Sequence, residues 1–167
     1  MSKFEQPGLD AIDFQILREL SIDGRASDVW LADKINLSST AVARRRKSLE
    51  ERQAVIGYSA DINMPMLGFG IVVFVAIELS SQAEKALNEF EMEVVKCPSV
   101  SYCGFISGDT DFLIMLNVES FEDYDRVYRR ELSMLPHVSR IRSSFVIREV
   151  ARRSTPPIVF QDRTEGR

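Results

Sequence analysis

Four consecutive cations, Arg44-Arg45-Arg46-Lys47, stand in the stretch Ser38-Ser39-Thr40-Ala41-Val42-Ala43-Arg44-Arg45-Arg46-Lys47-Ser48-Leu49-Glu50, and no carboxylate occurs between Lys34 and Leu49. Cations held together this way neutralise phosphates and donate hydrogen bonds to base edges. The spacing predicts a helix, with Ser38 as its cap because a serine oxygen accepts from a free first-turn N–H. Val42 and Leu49 then share the inner face. Thr40, Arg44 and Lys47 follow a second face, with Ser39 and Ala43 beside it. A short helix with an apolar back and a small-polar, cationic front suits the DNA major groove. Arg44 fits a guanine edge or a phosphate, Lys47 a phosphate, and Arg45 either the DNA backbone or an internal brace. The plainer alternative is a solvated charged face.

A second group with chemistry is Ser107-Gly108-Asp109-Thr110-Asp111. Free N–H groups in such a turn can hold a carboxylate while an aspartate meets an ammonium, which fits an α-amino acid at Gly108, Asp109 and Asp111. Tyr102, on the adjoining strand, either lines that pocket or is ordinary sheet surface. The competing reading of the segment is a plain hairpin turn. Catalytic chemistry has little to work with. His137 is the only histidine and follows Pro136. Cys97 and Cys103 are not a CxxC pair, and no zinc spacing, Ser-His-Asp set or phosphate-cradling glycine loop occurs. No catalytic residue, metal ligand or cofactor is expected.

Three helices must position the cations. Asp10 caps the first, whose apolar stripe is Ile12, Ile16, Leu17 and Leu20, and Gly24 turns the chain. Ser27 caps the second, about Asp28 to Ile35, with Leu31, Ala32 and Ile35 inward and Trp30 at its edge. Asn36-Leu37-Ser38 is a tight turn into the cationic helix. This is a helix-turn-helix, about Asp28 to Lys47. Val55 to Ala60 is β-prone, a candidate wing, and Pro65, Gly68 and Gly70 mark a hinge. The second half reads strand Ile71–Leu79, helix from Ala83 to Val94, strand Val100–Ile106, strand Phe112–Val118, helix from Phe121 to Leu132 and a long strand Val138–Val150. The order βαββαβ is the ferredoxin-like plan, with two helices on one sheet face. The open face calls for a partner, so dimerisation through it is expected. Ile158-Val159-Phe160 is expected to add a short edge strand.

The fold class is therefore α+β, an N-terminal winged helix-turn-helix followed by a ferredoxin-like domain. The expected divisions are a flexible arm 1–8, a DNA-binding domain 9–62, a hinge 63–70, an effector and oligomerisation domain 71–150 and a basic tail 151–167. The net charge of −4 means that nucleic-acid binding must rest on a local patch. The acidic excess lies mostly in residues 71–150, with eight Lys+Arg against thirteen Asp+Glu. Unpaired cysteines, a polar start and no apolar run of membrane length predict a cytoplasmic protein with no membrane partner.

These residues together make the chain similar to the Lrp/AsnC (feast/famine) family of transcription regulators. The resemblance runs from Leu9 to about Val150. It is carried by Leu9-Asp10, Asp13, Ile16-Leu17, Leu20, Gly24-Arg25, Leu31-Ala32, Leu37-Ser38, Val42, Arg45, Leu49-Glu50 and Ile56-Gly57-Tyr58, and by Ser107 to Phe112, similar to the family's Gly-Asp-x-Asp-(Tyr or Phe) turn. It implies a DNA-binding regulator of operator or promoter duplexes. It also implies an amino-acid effector bound near that turn, and homodimers that assemble to tetramers or octamers. Three positions depart from the pattern. Arg46 stands where an apolar residue is usual, and its guanidinium is expected to reach water past the core edge. Gln53 replaces a helix-ending glycine, and Gly104 a larger residue. Two rivals remain. Sirohaem decarboxylases resemble the same architecture but carry a His-Asn-Tyr run and an arginine on the strand that here reads Val100-Ser101-Tyr102-Cys103-Gly104-Phe105. The other rival is an effector domain that contacts only proteins.

Overall fold

Side-chain caps decide where the first three helices begin. The chain is described here as a computed structural model covering residues 8–161; residues 1–7 of the expected arm and 162–167 of the tail lie outside the described residues. Helix α1, Ala11–Ile22, opens on a reciprocal cap. The Asp13 N–H donates to Asp10 Oδ1 at 2.9 Å and the Asp10 N–H to Asp13 Oδ2 at 3.2 Å. Helix α2, Asp28–Ile35, starts with the Trp30 N–H donating to Ser27 Oγ at 3.1 Å. Helix α3, Ser39–Glu51, starts with the Ala41 N–H on Ser38 Oγ at 3.2 Å. Asn36, at φ 56, makes the left-handed step between α2 and α3, a conformation an asparagine side chain tolerates. Ile16, Leu20, Ala26, Leu31, Ala32, Val42 and Leu49 close a small core between the three.

Helix α3 ends without glycine. Gln53 itself takes φ 58, and the Ala54 N–H returns to the Leu49 carbonyl at 2.8 Å. The left-handed helix stop is thus kept, with the side-chain penalty a glycine avoids. The expected wing does not form a strand: Val55 to Ala60 has no ladder partner among the described residues. β-prone composition alone does not make a strand, because the ladder needs a second chain segment.

The second compact unit, Ile62–Val150, is built on strands β1 Ile71–Leu79, β2 Val100–Phe105, β3 Phe112–Val118 and β4 Val138–Phe145, with helices α4 Glu84–Val94 and α5 Phe121–Arg130. The sheet order is β2-β3-β1-β4, all antiparallel. Period-two alternation puts Val73, Val75, Ile77 and Leu79 of β1 and Phe112, Ile114, Leu116 and Val118 of β3 under the helices. Phe90 of α4 and Val127 of α5 complete this core, Phe90 stacking on Phe112 with centroids 4.4 Å apart. The opposite face carries Phe74 beside Met115 and Ala76 beside Leu113, covered by no element among the described residues.

Two expected strands are corrected. The last strand stops at Phe145 instead of Val150. Its partner β1 begins at Ile71, and once the Val146 N–H has met the Val72 carbonyl at 2.9 Å no ladder remains to extend. Ile158-Val159-Phe160 is a 3-10 turn, Pro157–Phe160, because adjacent prolines remove ladder donors and set φ. The glycine-rich segment before the sheet holds an ordered 3-10 turn, Met64–Leu67, capped by Asn63 Oδ1 and closed by Gly68 at φ 93. The other compact unit runs up to Asp61 and takes in the segment from Ala151, whose 3-10 turn packs on α1. No described helix is long and apolar enough to cross a membrane.

Candidate DNA-contacting and effector sites

The four cations of α3 divide by face. Ser39, Thr40, Ala43, Arg44 and Lys47 are exposed, and Val42 and Leu49 are buried behind them. Arg44 makes no ion pair among the described residues, and Lys47 meets only Glu51, at 3.8 Å on the same helix. Such an exposed pair holds its lysine weakly.

Arg45 and Arg46 turn inward. Arg45 Nη1 lies 2.8 Å from Asp10 Oδ2 and 2.7 Å from Asp13 Oδ1, so one guanidinium closes the α1 capping box from outside. Partial burial raises the Asp10 carboxyl, but the Asp13 N–H and the Arg45 charge outweigh it and hold the carboxyl below its usual range. Arg45 is pushed up, first by its bond to Asp13. Of the two roles expected for Arg45, the geometry takes the internal brace, and its place in the DNA-contact set is withdrawn because the guanidinium is already engaged. Arg46 corrects a second expectation. Its guanidinium does not run out to water; it pairs with Asp28 at 3.0 Å and donates to the Ala26 carbonyl. It thereby ties α3 to the start of α2, where a positive charge partners the first-turn aspartate. Nearby, the Tyr58 hydroxyl donates to Glu50 Oε1 at 2.7 Å, and burial followed by that carboxylate pushes the phenol up to about 12. Sequence reasoning gave no signal for the Arg46–Asp28 and Tyr58–Glu50 contacts, since each joins residues whose closeness only the fold creates.

The Ser107–Asp111 turn joins β2 to β3. The Ile106 N–H meets the Asp111 carbonyl at 2.9 Å, and Gly108 takes φ 128, a conformation that suits glycine alone. Asp109 is exposed at the tip. Asp111 is 5% exposed and points inward: Oδ2 accepts the Leu79 N–H at 2.7 Å and Oδ1 accepts Gln82 Nε2 at 2.8 Å. The expectation that Asp111 meets a ligand ammonium is corrected, because its two oxygens fix the turn to the end of β1. Gln82 was missed; its distance in sequence from the turn hid it. Gly108 and Asp109 therefore share the tip. Tyr102 does not join them: the register sets it opposite Met115, on the open sheet face, where Gly104 also lies opposite Leu113. Its ring crosses Gly104, and a Cβ there would overlap the Tyr102 hydroxyl. His137, at φ 62, pairs with Glu89 at 2.5 Å. Among the described residues no cluster of His, Cys, Asp or Glu could hold a metal ion.

Comparison with known proteins places this geometry. Residues 9–50 match the AsnC-type helix-turn-helix domain, and residues 72–156 match the Lrp/AsnC ligand binding domain. The Bkd operon transcriptional regulator of Pseudomonas aeruginosa is 37% identical, covering 90% of this chain and 98% of that protein. The leucine-responsive regulatory protein of Rhizobium meliloti is 34% identical, covering 85% and 91%. Among solved structures, a transcriptional regulator of Neisseria meningitidis in complex with L-methionine superposes with TM-score 0.85 at 28% identity, covering 90% of this chain and 97% of that one. A feast or famine regulatory protein of M. tuberculosis complexed with L-methionine gives TM-score 0.80 at 29% identity, covering 89% and 99%. With a helix-turn-helix whose outer face is cationic, a four-stranded sheet domain after it in the sequence, and relatives matched nearly end to end, the chain belongs to the Lrp/AsnC family of transcriptional regulators.

Proposed function

We propose that this regulator reads operator DNA with the outer face of α3 and answers to an amino acid held at the Gly108–Asp109 tip. The observation that carries the DNA reading is the division within one run of cations. Arg45 and Arg46 fasten α3 to its neighbours, which leaves Ser39, Thr40, Ala43, Arg44 and Lys47 together on a solvent face. In the major groove Arg44 would read a guanine edge or a phosphate, Lys47 a phosphate, and Ser39 and Thr40 the adjoining backbone. A homodimer would set two such helices on successive groove faces roughly 34–36 Å apart or a multiple of that. The uncovered sheet face, with Phe74, Met115 and Leu113, is the surface for that dimer, and dimers would assemble further to tetramers or octamers. The protein acts in the cytoplasm and carries no catalytic function.

At the tip, a ligand carboxylate would meet turn N–H groups and its ammonium Asp109, with Asp111 holding the turn from below. An effector of this kind works by binding two assembly states unequally. The two structures solved with L-methionine support an amino acid as the ligand class. The test is footprinting on the DNA flanking the gene, with and without each amino acid. Protection at regularly spaced half-sites, altered by an amino acid, is the expected result. Absence of protection with correctly folded protein would sink the DNA reading and favour a role confined to protein contacts.

A further inference from the structure

The sheet unit holds a cavity of about 540 Å³ at the end away from the glycine-aspartate turn. It lies among Met64 and Phe69 before β1, Pro98 to Ser101 at the start of β2, Asn117 at the end of β3, and α5. Val100 and Phe105 are opposite ends of β2, so roughly 17 Å of strand separates this cavity from the turn. Its size falls within the usual range for a small-molecule site. We propose that it binds a small monocarboxylate with an apolar body, with Arg130 as the anchor.

The lining decides the ligand's chemistry by elimination. Its floor is apolar, from Phe69, Val100 and Val127 flanked by Met64 and Pro98. The polar groups around that floor are already committed. Glu131 accepts the Ser99 hydroxyl at 2.7 Å and the Ser99 N–H at 3.3 Å. Asp123 is 7% exposed, accepts the Glu119 N–H at 3.0 Å and pairs with Arg126. Ser101 donates to the Met115 carbonyl at 2.9 Å and Asn117 to the Phe69 carbonyl at 3.4 Å. Arg130 alone among the charged lining residues makes no hydrogen bond or ion pair among the described residues. A guanidinium beside an apolar hollow matches a carboxylate bidentately while the carbon chain lies on the floor. Asp123 is paired with Arg126, whereas Glu131 meets only the neutral donors of Ser99, so the lining selects for a carboxylate at Arg130 and not against an ammonium. This reasoning stands whether or not the distant turn binds an effector.

The test uses the full chain with hexanoate and hexylamine as probes. Each carries a six-carbon chain but a different charge pattern. Binding is followed by titration calorimetry and by the methyl signal of Met64, which borders the cavity. Hexanoate is expected to bind and to shift that signal, while hexylamine, which lacks the carboxylate, leaves it in place. Arg130→Gln is expected to weaken hexanoate by roughly tenfold or more, the factor that a lost charge-assisted hydrogen bond carries. Arg129→Gln removes the same charge from the same helix outside the lining and is expected to change nothing. Thermal unfolding of both variants controls for folding. Failure of hexanoate to move Met64, an equal shift by hexylamine, or an unchanged affinity in Arg130→Gln would each overturn the proposal.

Discussion

The recognition helix and the glycine-aspartate turn solve one problem with opposite charges. Each gathers groups of a single sign, and each spends part of the set on its own backbone frame. On α3 the inward members, Arg45 and Arg46, meet carboxylates at 2.7 to 3.0 Å, so their charge is cancelled within the fold. At the turn the inward member, Asp111, meets a backbone N–H and a side-chain amide, both neutral. The helix thus keeps two cations to show to solvent. The turn keeps one exposed and one uncompensated buried aspartate, a local negative field suited to an ammonium. Position on the frame, and not residue type, separates the holder from the reader.

The largest effect expected from breaking this division is on DNA. Replacing Arg44 and Lys47 together by Ala should cost operator affinity about thirtyfold or more, at roughly 1–3 kcal/mol for each contact, with an unchanged thermal midpoint. Gel-shift titration with calorimetry of the free protein checks both. Arg45→Ala should act on the frame instead, lowering unfolding free energy by roughly 2–3 kcal/mol as Asp13 loses its partner. Its residual DNA binding should keep the wild-type salt slope, since no phosphate contact has gone. Denaturant unfolding and a salt series separate it from the first pair.

Asp111→Ala at the turn should destabilise the protein by about 1–3 kcal/mol by leaving the Leu79 N–H unanswered. Asp109→Asn should weaken effector response without moving the thermal midpoint. If the two aspartates behaved alike, the distinction drawn between them would fail. Acid sharpens the same contrast. Asp10 has a lowered carboxyl pKa in the folded state, so its stabilisation is complete above the ordinary carboxylate range and is lost only as pH falls through the depressed value. Arg45→Ala should move that loss to higher pH in an acid titration followed by circular dichroism. The smallest effect expected is a gain: Gln53→Gly relieves a left-handed residue and should add about 0.5–1 kcal/mol.

Much of this was legible from local chemistry. Asp10, Ser27 and Ser38 announce helix starts because a side-chain oxygen one step before a helix has an obvious donor to meet. The limits of β1 and β3 follow from dense β-branched and apolar runs. What stayed hidden depends on distant partners. The fate of Arg46 is set by Asp28, and that of Asp111 by Leu79 and Gln82. The end of β4 is set by where β1 begins. The stretch from Val55 to Ala60 has β propensity but no ladder partner among the described residues, and propensity cannot supply one. The turn itself was readable as a turn, while the direction each aspartate faces was not.

The Tyr102 phenol lying across Gly104 has an evolutionary corollary. The two positions share one volume, so a side chain at 104 must first displace the phenol. The half-exposed phenol can swing aside to make that room, and its loss would leave the space open without any such movement. Across descendants of this sequence, bulk gained at 104 should come more readily where tyrosine at 102 has been lost, leaving a co-inherited bias on the uncovered sheet.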